Sequence, residues 1–183
     1  MTVFERYENL KSKVVSRRED FLKFMEFIET ETEYLTAPAS TKFHLCKEGG
    51  LLEHSVNVAE TLLKIKNTLA PEISDESCVI VGLLHDLGKV GMPSKPQYIK
   101  NLQKSYPPYK FNNDLVYLSV PVRSLYLIGD KIPLTEEEVQ AIIYHDGQYV
   151  DDNKSVAGHE EKLTLLLQYA DSWSGFAIEK IFS

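Results

Sequence analysis

Residues 81–90 read Val-Gly-Leu-Leu-His-Asp-Leu-Gly-Lys-Val, and this stretch constrains the chain more than any other. An apolar run carries the adjacent pair His85-Asp86 inward, and Gly88 follows two residues later. Neighbouring side chains on a regular helix diverge by about 100°, because one turn takes ~3.6 residues. The pair can converge on one object only where that helix is ending, and glycine ends helices in the left-handed conformation. A buried carboxylate beside an imidazole is costly unless something positive offsets it, and a metal ion is one such partner. The competing reading is a plain helix C-terminus, with His85 capping free carbonyls and Asp86 making a surface contact. The dipeptide alone does not choose between them.

The remaining pattern predicts an all-α helical bundle, one domain over residues 1–183 with helices in residues 1–35 ahead of a core at about 43–173. A short polar helix is expected over residues 3–13. A second is expected over 16–34, with Ser16 as its cap, Glu19 completing a capping box, and Phe21, Phe24, Met25 and Ile28 as its apolar stripe. Leu52, Val56, Ala59 and Leu69 recur at helical spacing until Pro71 stops the run, which places His54 near the start of that helix. Ser74 or Asp75 opens the helix that leads to His85-Asp86. Further helices are expected over 116–130, with Pro121 in the first turn, and from the Thr135/Glu138 capping box to His145-Asp146-Gly147. A last one runs from about residue 159 past Leu163, Leu166, Leu167 and Ala170 to Asp171.

Residues 90–115 differ in kind. Pro93, Pro96, Pro107 and Pro108 and the turn signal Asn112-Asn113 predict an irregular excursion with room for a short hairpin. It leaves the chain directly after the His-Asp pair, so it is expected to pack over whatever Asp86 faces and to set substrate choice. Tyr98, Tyr106, Tyr109 and Phe111, interleaved with Lys95, Lys100, Lys104 and Lys110, offer flat faces and positive charge. A surface excursion that merely covers apolar helix faces would look the same.

Composition removes several classes of partner. A net charge of -7 gives no reason to expect a nucleic-acid duplex, which needs many cationic contacts to phosphates. No apolar run approaches the ~18 residues of a membrane helix. The chain opens on polar residues, not a signal peptide, and Cys46 and Cys78 form no C-x-x-C pair, so a reducing cytoplasmic location is expected.

His54, His85, Asp86 and Asp171 are the candidate ligands, each on a helix with apolar neighbours. Imidazole and carboxylate donors suit Mn, Fe, Co, Ni or Zn, and bundles place such ligands inward from facing helices. Taken singly, His54 also reads as a hydrogen-bonded core histidine and Asp171 as a solvent-facing acid.

Together these residues resemble the H…HD…D signature of the HD superfamily of metal-dependent phosphohydrolases. Gly49-Gly50-Leu51-Leu52-Glu53-His54-Ser55 is similar to the GGLLEH-type entry known from bacterial HD proteins, including a group of 3′–5′ exoribonucleases. Leu83-Leu84-His85-Asp86-Leu87-Gly88-Lys89 resembles the usual LLHDIGK version. The nucleic-acid-binding domain that precedes the catalytic domain in those exoribonucleases has no counterpart here.

The resemblance implies His54, His85, Asp86 and Asp171 as ligands of a divalent ion: Mn, Fe, Co, Ni, Zn or Mg. Two-metal relatives carry another histidine where this chain reads Leu118-Ser119-Val120-Pro121-Val122-Arg123-Ser124. One ion is therefore expected, with His145 free to touch the substrate. Asp86 would ligate the ion and orient a metal-activated water. Lys89 reads either as a phosphate-binding cation or as a complement to the helix C-terminus. Arg123 reads as a bidentate clamp on substrate or as part of a solvated face. His44 and His159 are left as loop or surface histidines. The implied function is hydrolysis of a phosphomonoester or phosphodiester bond in a small phosphorylated substrate, a nucleotide. The alternatives are a phosphodiesterase on short single-stranded nucleic acid and a regulatory HD module without turnover.

Overall fold

A computed structural model of the protein describes residues 1–103 and 106–179. Lys104, one of the interleaved lysines, lies outside the described residues. The chain folds into α1 (Val3–Lys11), α2 (Arg18–Glu31), α3 (Gly50–Leu69), α4 (Asp75–Leu84), α5 (Val120–Ile128), α6 (Glu136–Ile143) and α7 (Lys162–Trp173). The all-α expectation holds, and the small hairpin β1 (Tyr98–Lys100) and β2 (Tyr109–Phe111) is antiparallel, with Tyr98 opposite Phe111.

At the centre is α3, which packs against α1, α4 and α7. Its start is set by two glycines with different duties. Gly49 enters at a φ of +74°, and a Cβ on Gly50 would lie 2.0 Å from the Leu45 carbonyl oxygen. The α3–α4 approach is set by Gly82, whose Cβ would lie 2.6 Å from Ala59 Cα. That near-contact of backbones brings the His54 end of α3 beside the His85 end of α4.

The helix of the His-Asp pair ends at Leu84, and a 3-10 turn, Leu87–Val90, follows. Gly88 is not the left-handed cap expected of it; the positive φ falls to Gly91, at +84°, after the 3-10 turn. Gly88 is needed for closeness instead, since a Cβ there would sit 2.1 Å from the Val120 carbonyl oxygen. The start of α5 thus rests on the turn that aims Asp86. Ser124 Oγ ties the two together, accepting from Gly88 N–H at 2.7 Å and donating to the His85 carbonyl at 3.0 Å.

Three element starts differ from expectation. Ser16 does not cap α2; Arg17 holds that position without a side-chain cap. The Val15 and Ser16 amides, which precede the helix, donate to Glu76 Oε2 at 2.7 and 2.6 Å and tie the junction to α4. Helix α5 starts at Val120, not 116, because a proline ring tolerates helix only downstream of its own first turn, and Pro121 sits there. Helix α7 starts at Lys162 and continues into a π-turn, Ser174–Ile178.

Residues 1–35 are keyed into this core. Arg6 pairs with Glu60 on α3 at 2.7 Å, and the buried Tyr34 hydroxyl donates to the Leu83 carbonyl at 2.9 Å. Arg17 bridges Glu76 on α4 and Glu138 on α6, at 2.7 and 2.6 Å.

Candidate metal centre

Four predicted residues meet. His54 Nε2 lies 3.1 Å from Asp171 Oδ1 and 3.5 Å from Asp86 Oδ2. His85 Nε2 lies 3.6 Å from Asp86 Oδ2, while His145 Nε2 faces the other oxygen, Oδ1, at 3.4 Å. The Lys89 ammonium also pairs with Asp86 Oδ2. His54, His85, Asp86 and His145 are buried, whereas the Asp171 side chain is 23% exposed and forms the open side.

The histidines are held alike. His85 Nδ1–H donates to the Gly82 carbonyl at 2.9 Å, and His145 Nδ1–H to the Ile142 carbonyl at 2.8 Å. Both carbonyls belong to a last helical turn, where backbone acceptors lack helical partners. A carbonyl only accepts, so the proton on each ring sits at Nδ1. His54 Nδ1 faces the Glu179 carboxylate at 3.0 and 3.1 Å. Each ring therefore turns Nε2 to the centre, and the buried His85 Nε2 has no hydrogen-bond partner. Imidazole nitrogens aimed inward, oriented through their other nitrogen and joined by two carboxylates, suit a divalent ion of the Mn-to-Zn series. Two overlapping groups are close enough for this, His54 with His85 and Asp86, and His85 with His145 and Asp171.

The electrostatics agree. Burial keeps His85 neutral, pushing it down to about 4 and leaving its lone pair available. Burial opposes charge on His54, yet hydrogen bonds to Asp171 and Glu179 outweigh it and raise the group to about 10. His145 is likewise raised to about 9 against burial, chiefly by its hydrogen bond to Asp86. Asp86 stays well below the usual carboxylate range despite burial, because Lys89 and His85 face it. Protons on His54 and His145 thus hold the carboxylates together, a task that a cation would take over.

Arg123 is not part of a solvated face. Its guanidinium is buried and donates to the Gly88 carbonyl at 3.2 Å, to Gln97 Oε1, and to the Val116 carbonyl at 2.9 Å. It braces the turn behind Asp86. His159 is exposed, as expected of a surface residue. His44 is not a bystander: its ring centroid lies 4.8 Å from that of His54 and its Nε2 lies 3.7 Å from Glu179 Oε2. Glu179 itself was missed, since it follows the last apolar helix with no motif around it.

The excursion reaches the centre through Tyr98, which is buried, packs at a tilt against Phe111 with ring centroids 5.3 Å apart, and feels the Lys89 charge. Between the hairpin and α5 lies a cavity of about 540 Å³, lined in part by Gln97, Tyr98, Phe111, Asn112 and Val116. Tyr106 turns elsewhere, donating to the Lys42 carbonyl at 3.1 Å.

The family described as HD domain matches residues 51–172, a stretch that contains His54, His85, Asp86, His145 and Asp171. The chain belongs to the HD domain family. Among curated proteins it is similar to the dihydroneopterin 2′,3′-cyclic phosphate phosphodiesterase of Methanocaldococcus jannaschii, with 28% identity over 171 residues. The match takes in 81% of this chain, which spans 64% of that protein's length. No solved structure matches this HD domain chain.

Proposed function

We propose that this HD domain protein hydrolyses a phosphoric ester in a small, nucleotide-like substrate, with a divalent ion held by His54, His85, Asp86 and Asp171. The observation that carries the reading is the convergence of three Nε2 atoms and two carboxylates, with an orphaned His85 Nε2 among them. The name of the archaeal relative, a phosphodiesterase acting on a cyclic phosphate, supports the bond type.

A bound divalent ion would lower the pKa of a coordinated water and offset charge on a phosphoryl oxygen. The protein's own groups have separate tasks. Asp86 presents Oδ2 to His54, His85 and Lys89 and Oδ1 to His145, so its two oxygens can serve the ion and a water separately. Lys89 supplies a compact positive charge for a phosphate. His145 Nε2 faces Asp86 Oδ1 at 3.4 Å, where it would pass a proton to a departing oxygen. Tyr98 and the adjoining cavity give the substrate's ring system a flat wall. Residues 1–35 act as part of the same domain, through the Arg6 and Arg17 ion pairs. The free thiols Cys46 and Cys78 fit a cytoplasmic location.

Product analysis tests this reading. Protein loaded with Mn²⁺, Co²⁺ or Zn²⁺ should open 2′,3′-cyclic nucleotides or release phosphate from nucleoside monophosphates. Asp86→Asn should abolish the activity. Cleavage confined to short oligonucleotides would favour the nucleic-acid alternative. No turnover on any substrate by ion-loaded protein would overturn the enzyme.

A further inference from the structure

We infer that Glu179 is a positioning residue of the centre: it locks the proton of His54 onto Nδ1 and so commits Nε2 to the ion. The inference rests on the reading of His54 as a ligand. It adds a residue outside the 51–172 stretch that the HD domain family covers.

The Glu179 side chain is 1% exposed, and both of its oxygens lie within 3.1 Å of His54 Nδ1. The π-turn after α7 sets this position, since Glu179 N–H closes it by donating to the Ser174 carbonyl at 2.9 Å. One turn after His54 on α3, Asn57 Nδ2 donates to Glu179 Oε1 at 3.0 Å. The amide orientation of Asn57 is settled by its far side. Arg6 Nη2 donates to Asn57 Oδ1 at 2.8 Å, and a guanidinium has no acceptor to offer. Arg6 is itself gripped by both oxygens of Glu60, at 3.1 and 2.7 Å. Thus Asn57 must present its N–H₂ to Glu179, and Glu179 must accept from both Asn57 and His54. The order Arg6, Asn57, Glu179, His54 leaves one place for the Nδ1 proton.

The same three residues, His44, His54 and Glu179, are also close enough to hold an ion of their own. The hydrogen bonds argue otherwise. His54 Nδ1 is engaged as a donor, and one ring serves two ions only after losing both protons. His44 Nε2 stands 3.7 Å from Glu179, beyond hydrogen-bonding distance, and its ring packs on that of His54. A buried carboxylate that orients an imidazole raises its basicity as a ligand, and losing such a partner typically costs ~10–100-fold in metal affinity.

The test uses the full chain with Glu179→Ala and Glu179→Gln. Affinity for Zn²⁺ is read by competition with a chromophoric chelator, and the His54 tautomer, with the nitrogen that faces the ion, by ¹⁵N imidazole NMR of the Zn²⁺-loaded protein. Glu179→Ala should bind Zn²⁺ about 10–100-fold more weakly and lose the single Nδ1–H form of His54. Glu179→Gln, whose amide oxygen still accepts from Nδ1–H, should lose less affinity and keep the tautomer. Should the alanine variant fail to fold, the glutamine variant carries the comparison, and wild-type affinity there with a mixed tautomer would overturn the inference. Wild-type affinity and an unchanged tautomer in the alanine variant would overturn it too, while leaving the centre intact. A wild-type protein that binds no Zn²⁺ would remove the centre itself, and the role of Glu179 with it.

Discussion

Asp86 is the residue on which the chemistry turns, because its two oxygens answer to different neighbours. Its aim depends on parts that touch no substrate. Arg123 is chief among them: it holds the Gly88 carbonyl and the Gln97 amide from behind. Arg123→Lys should therefore act mainly through stability. A lysine cannot reproduce the fork of bonds, and losing buried hydrogen bonds from a charged group costs about 1.5–3 kcal/mol. Thermal and urea unfolding beside steady-state kinetics will show it, with Tm falling and KM little changed. A tenfold rise in KM at unchanged stability would return Arg123 to the substrate. His54, His85, Asp86 and Asp171 were legible in the sequence because each ends or opens an apolar helix in a known order. Glu179 and His44 were not, since side chains outside the repeating pattern meet only through the tertiary fold. Arg123 misled for a related reason: helical spacing does not say whether an arginine faces water or a buried carbonyl.

Among the elements, the junction between α1 and α2 carries more than its sequence announced. Arg17 joins Glu76 on α4 to Glu138 on α6, and the Glu138 side chain is fully buried. Arg17→Ala leaves that carboxylate unpaired, so a loss of about 3–5 kcal/mol is expected in chemical unfolding. A loss under about 1 kcal/mol, the range of a surface pair, would contradict the role given to the bridge. The same junction sets an acid limit. Burial works against the Glu76 carboxylate, but Arg17 and the Val15 and Ser16 amides lower its pKa below the ordinary 4.5. A depressed folded-state value stabilises the protein above 4.5 and is lost as pH falls through that lower value. Stability of the wild type should thus fall more steeply below 4.5 than that of Glu76→Gln, and parallel curves would refute this. Helix existence and type were readable from apolar spacing, yet three starts were not. Arg17, not Ser16, holds the cap position of α2, Pro121 delayed α5, and α7 starts only at Lys162.

At the scale of the whole molecule, a bundle brings helix ends from distant parts of the chain to one buried point and leaves one side open at Asp171. The N-terminal helices, which no motif marked, are tied through Arg6 and Asn57 to the carboxylate behind His54. No helix among the described residues is long and apolar enough to cross a membrane. The central claim is that this point holds a divalent ion, and locating one there is its most direct test. Anomalous diffraction at the metal edge, from crystals of protein loaded with Co²⁺ or Zn²⁺, should give a peak enclosed by His54 Nε2, His85 Nε2, Asp86 and Asp171. Donor distances of ~2.0–2.2 Å are expected for such ligands. Fully loaded protein with no peak at that point, or with its ion bound only elsewhere, would contradict the account.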